Sequence, residues 1–108
     1  MQFKFSKCVA LQLPDLAEGK AFYSDILGLS AKEISDGYHM SPGDGNLFIA
    51  ESDTLRGPVL EFIVDDVEAA KKYLLQHGCK IVRWLGAGKD CYLKDPFGTV
   101  FNLWEEKK

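Results

Sequence analysis

The chain has 108 residues, enough for one domain and too few for two full ones. Apolar residues make up 46% and charged residues 27%, so a packed core is expected and disorder is not. A net charge of −3, with no basic run outside the closing Glu105-Glu106-Lys107-Lys108, speaks against a phosphate-neutralising face. Neither nucleic acid nor an anionic membrane is therefore an expected partner.

No apolar stretch approaches a membrane span, and the opening Met1-Gln2-Phe3-Lys4-Phe5 has no signal-peptide hydrophobic region. A cytoplasmic location is expected. The three cysteines, Cys8, Cys79 and Cys91, show no CxxC spacing, which indicates neither a disulfide framework nor a zinc ribbon.

In chain order, residues 6–13 read as a strand ended by Pro14-Asp15. Asp15 suits an N-cap, with Glu18 as its capping-box partner. A helix follows over 16–27, with Leu16, Phe22, Tyr23, Ile26 and Leu27 on one face and Gly28 as the stop. Strands are expected at 31–35, 38–41 and 47–51, split by Asp36-Gly37 and by Pro42-Gly43-Asp44-Gly45. Gly57-Pro58 marks a new start. Residues 59–64 then read as a strand, and Asp65-Asp66 caps a helix over 67–77 that Gly78 stops. Strands at 81–85, 90–94 and 100–104 follow, with turns at Gly86-Ala87-Gly88 and Asp95-Pro96-Phe97-Gly98.

The order strand, helix, three strands thus occurs twice. Residues 8–16 line up with 59–67 in residue type. A βαβββ unit cannot close a core alone, whereas two can. The expected class is α+β, a single domain over 1–108 with unit one at about 1–55 and unit two at about 56–108.

Two motifs carry a resemblance. Leu13-Pro14-Asp15-Leu16 with Phe22-Tyr23-Ser24-Asp25-Ile26-Leu27-Gly28-Leu29 looks like the first helix of a vicinal-oxygen-chelate domain. The segment Asp95-Pro96-Phe97-Gly98-Thr99-Val100-Phe101-Asn102-Leu103-Trp104-Glu105 looks like its last hairpin and strand. The chain resembles this glyoxalase and bleomycin-resistance family along essentially its whole length. The resemblance implies a curled mixed sheet with helices on the outer side, an open cleft on the concave face, and a homodimer. It also implies functions that run from glyoxalase-type isomerase or lyase chemistry and extradiol ring cleavage to drug sequestration.

Metal-binding members place His, Glu or Gln on the first and last strand of each unit. The matching positions here hold Cys8, Val59, Asn102 and, in the first unit, Ile49 by direct count from Gly45 or Glu51 after a two-residue slip. Val cannot ligate and Asn is a weak neutral ligand, so no metal cofactor is expected. The two-His, one-carboxylate triad of an extradiol dioxygenase is missing. His39 and His77 match no ligand position.

Strand alternation assigns the remaining residues. If Cys8 and Val59 face the cleft, so do Ala10, Gln12, Glu61 and Ile63. If Asn102 does, so do Val100 and Trp104. Glu61 stands out, a carboxylate between Leu60 and Phe62. It is the candidate catalytic residue, as an acid–base group, or a strand carboxylate paired to a cation such as Arg83. Tyr38, Trp84, Tyr92 and Trp104 are candidates for stacking on a flat ligand. The ligand-contacting set is thus Cys8, Gln12, Tyr38, Ile49, Glu51, Glu61, Trp84, Tyr92, Asn102 and Trp104. The expected function is metal-independent binding of a small molecule. The alternative is a glyoxalase-type lyase or isomerase, metal-dependent or using Glu61 as base.

Overall fold

The computed structural model describes residues 2–86 and 89–106. Ala87 and Gly88 of the turn expected at 86–88 lie outside the described residues.

The elements run β1 (Lys4–Leu13), α1 (Leu16–Ala21), β2 (Ser30–Ile34), β3 (Gly37–Ser41), β4 (Asn46–Glu51), β5 (Gly57–Val64), α2 (Val67–Leu75), β6 (Lys80–Trp84), β7 (Cys91–Lys94) and β8 (Val100–Glu105). The βαβββ order occurs twice, as the repeat predicts, and the protein is α+β. Two compact units form. One comprises residues 7–59, and the other comprises residues 60–106 together with 2–6. The division falls at 59/60 rather than near 55/56, and the opening residues join the second half.

In residues 7–59 the strand order is β2-β3-β4-β1, with β1 and β4 parallel and the other pairs antiparallel. The Asp15 side chain accepts from the Glu18 N–H at 3.0 Å and starts α1. The expected helix over 16–27 is only half α-helical. It continues as a wide π-type turn, Phe22–Ile26, in which the Leu27 N–H reaches the Phe22 carbonyl at 3.3 Å and the Leu29 N–H reaches the Tyr23 carbonyl at 3.0 Å. The wide turn leaves Phe22, Ile26 and Leu27 exposed, so the apolar stripe read from the sequence is not buried within the described chain. Burial here rests on Met40, Ile49 and Val59.

In residues 60–106 the order is β5-β8-β7-β6, with β5 and β8 parallel. The Asp66 side chain accepts from the Ala69 N–H at 3.1 Å and caps α2. The helix ends at Leu75, before the expected 77. Gly78, at φ +94°, reverses the chain so that the His77 and Cys79 N–H groups both reach the Leu74 carbonyl. The core packs Val64, Leu93, Leu103, Cys79 and Cys91 against Val67 and Ala70 of the helix, with Phe3, Phe62, Leu74, Trp84 and Phe101 around them. At Asp95-Pro96-Phe97-Gly98 the Asp95 carboxylate accepts from the N–H groups of Phe97 and Thr99, each at 2.9 Å. That Asx-type turn sends β8 back along β5.

Candidate functional site

Core membership fixes which side of each strand faces its helix. Phe62, Val64, Phe101, Leu103, Cys91 and Leu93 all lie in or against the helix-side core. Their strand neighbours Glu61, Asn102 and Tyr92 therefore point to the opposite face. Register puts them in one row: Glu61 is level with Asn102, and Asn102 with Tyr92. Arg83 completes the row, because a bulge in β6 between Ile81 and Arg83 brings it level with Tyr92. Without the extra residue, Arg83 would alternate onto the helix side.

Within the row the Asn102 amide donates to Glu61 Oε1 at 3.4 Å. The Arg83 guanidinium lies over the Tyr92 ring, 4.4 Å from its centre. Glu61 does not pair with Arg83, the partner considered from sequence. Asn102 is buried, at 7% exposure, and its Oδ1 has no hydrogen-bond partner among the described residues. Burial pushes the Tyr92 phenol above its ordinary value, and Asp90 and Glu61 add to the rise while Arg83 opposes it. Trp104, level with Ile63, lies on this same face and is half exposed.

In residues 7–59 the face opposite the helix holds Cys8 and Gln12. Register sets Cys8 level with Asn46, Gln12 with Ala50, and Phe48 with both Ala10 and His39. His39 Nε2 donates to Asn46 Oδ1 at 3.2 Å, and the Asn46 amide donates to Cys8 Sγ at 3.7 Å. His39 also packs on Phe48, with ring centres 5.1 Å apart. Asn46 and Phe48 are not singled out by the sequence, and His39 is set aside there as matching no ligand position. The available signal was the alternation of β3 and β4 in register with Cys8.

Four expected contact residues lie on the helix side instead. Ile49 and Glu51 are level with Leu11 and Leu13, so neither shares a face with Cys8. The reason is one residue of loop. Thr99 separates Gly98 from β8, whereas Gly45 leads directly into Asn46 and β4. The position equivalent to Asn102 is therefore Phe48, not Ile49 or Glu51. Ile49 is fully buried. Glu51 accepts from the Leu16 N–H at 2.9 Å. Tyr38 is level with Ile49 and lies beneath the Lys20 ammonium at 4.8 Å. Trp84 is level with Cys91, and the Lys71 ammonium sits 3.1 Å from its ring centre.

His77 lies just past the end of α2, and its Nδ1 donates to the Tyr73 carbonyl of that helix at 2.8 Å. The donor set does not fit the metal that the resemblance implies. Val59 cannot ligate, Phe48 stands where a carboxylate would be needed, and among the described residues no three of His, Cys, Asp and Glu converge.

Against known proteins, residues 7–103 match the family model described as the Glyoxalase/Bleomycin resistance protein/Dioxygenase superfamily. No curated protein matches the chain. A hypothetical protein from Bacillus halodurans C-125 superposes with TM-score 0.62 at 13% identity, over 100% of this chain and 97% of the other. A superfamily member from Vibrio splendidus 12B01 gives TM-score 0.59 at 12% identity, over 97% and 98%. Homoprotocatechuate 2,3-dioxygenase from Brevibacterium fuscum, in complex with 3,4-dihydroxyphenylacetate, gives TM-score 0.65 at 22% identity, over 99% of this chain and 38% of its own. This chain thus spans little more than a third of that enzyme. At these identities the likeness is one of fold.

Proposed function

Because the chain belongs to the glyoxalase/bleomycin resistance/dioxygenase superfamily, we propose that it binds a small organic molecule, without a metal, on the sheet face opposite α2. One observation carries the reading: Asn102 is buried with its carbonyl oxygen unpartnered among the described residues, while its amide is spent on Glu61. A buried acceptor left without a donor costs about 1–3 kcal/mol. A ligand N–H or O–H placed there recovers that cost. Tyr92 and Trp104 offer flat surface on the same face, which suits a partly aromatic molecule. The donor chemistry at the family's ligand positions, with Val59 and Phe48 among them, supports the metal-independent reading.

The test is native mass spectrometry of protein isolated from cells, alongside melting with and without chelator. The expected result is an organic adduct that Asn102→Leu loses while the fold is retained, and a melting temperature indifferent to chelator. A melting temperature that falls on chelation, or a metal adduct, overturns the metal-free reading. If the bound molecule is turned over and Glu61→Gln stops the reaction, the function is catalysis with Glu61 as base.

A further inference from the structure

Resting on that reading of the face, we infer that its ligand is bipolar: an ammonium or other cationic donor at one end and a carboxylate or similar anion at the other. The row ends in opposite charges. Glu61 stands on β5 and Arg83 on β6, with Asn102 and Tyr92 on the two strands between. Strands lie about 4.8 Å apart, so the outer backbones of the row are separated by about 14 Å. A direct contact between the two charged groups is not made. Among the described residues the ion pair present is Lys71–Glu68, and neither Glu61 nor Arg83 belongs to one.

Each charge is oriented by its inner neighbour. Asn102 holds Glu61 Oε1, and the Tyr92 ring carries the Arg83 guanidinium. The planar fork of Arg83 suits a two-point grip on a carboxylate. At the other end the Asn102 Oδ1 and the Glu61 carboxylate are both acceptors, a pair that favours a donor-rich cation. The centre is the Tyr92 ring, which suits a planar spacer. The β6 bulge is what makes this selective. It puts a cation in a row that strand alternation would otherwise have closed with an apolar residue, Val82.

The experiment is calorimetric titration with four probes: 4-(aminomethyl)benzoate, benzoate, benzylamine and benzamide. The bipolar probe should bind about tenfold or more tighter than either single-ended one. Arg83→Gln should reduce it to the affinity of benzylamine, and Glu61→Gln to that of benzoate, with unchanged circular dichroism. A bipolar probe no tighter than the better single-ended one, or an Arg83→Gln variant with full affinity, overturns the inference. If the cell-derived adduct is present and Asn102-dependent while none of the probes binds, the bipolar class fails and the site reading stands. If adduct and probe binding are both missing, both fail.

Discussion

The Glu51 carboxylate accepts a hydrogen bond at 2.9 Å from the backbone N–H of Leu16, the first residue of α1. Glu105 does the same for Val67 of α2, at 3.1 Å. Each unit therefore uses the end of its last strand to satisfy a helix N–H that has no partner inside the helix, and sets a negative charge at the positive end of the helix dipole. Glu51→Ala and Glu105→Ala should each cost about 0.5–1 kcal/mol, read as a lower midpoint of urea unfolding. The glutamine variants should cost less, because they keep the acceptor and lose only the charge. If Glu51→Ala leaves stability unchanged, the capping role is wrong.

Gly37 opens β3 directly against β4. A Cβ there would collide with the Ile49 carbonyl oxygen and come within 3.3 Å of Ala50 Cα. Both obstacles are backbone, so no rotamer change relieves them. Gly37→Ala should destabilise by about 2 kcal/mol or more in chemical unfolding. By contrast, Gly43→Ala meets no atom of the described residues within 4 Å, and its cost there is that of its backbone angle, φ +153°.

The three thiols should react in a fixed order. Cys79 and Cys91 are buried, and burial is the main cause that pushes both thiols above their ordinary value. For Cys79 the charge of Asp95 adds to the rise; for Cys91 the Lys71 ammonium partly offsets it. Iodoacetamide on the folded protein should label Cys8 first, since Cys8 is only half buried. Peptide mapping of a time course checks this. Early label on Cys91 would mean that the core of residues 60–106 opens more readily than its packing implies.

Tyr92 gives stability a pH dependence in the alkaline range. Its phenol is held above its ordinary value chiefly by burial, so the folded chain favours the neutral form. The favourable contribution is complete below the unfolded tyrosine value of about 10 and is lost as pH rises through the higher folded value. Wild-type protein should therefore lose stability in alkali more steeply than Tyr92→Phe, as measured by urea unfolding over a pH series. Equal slopes would place Tyr92 in contact with bulk water.

Much of the fold is legible in the amino-acid sequence. Asp15 and Asp66 announce the helices because a short side-chain acceptor before an apolar helical run has few other uses. Alternation along β5 and β8 assigned Phe62, Val64, Phe101 and Leu103 to the helix side, and Glu61 and Asn102 to the other, because a two-residue period holds wherever the strand is regular. Alternation assigns the wrong face where a single residue shifts the phase. The missing loop residue before β4 turned Ile49 and Glu51 to the helix side and left Phe48 beside His39. The extra residue in β6 brought Arg83 to Tyr92 and sent Trp84 to Lys71.

The sequence by itself determined the doubled βαβββ order, the helix starts, the family and the face on which Glu61 and Asn102 lie. These follow from local chemistry: capping groups, turn residues and the period of each element. Only the tertiary structure decided that Glu61, Asn102, Tyr92 and Arg83 form one row, that Glu51 serves a helix, and that Asn102 is buried with an acceptor unmatched among the described residues. Those facts depend on register between strands distant in sequence, and no local preference records that.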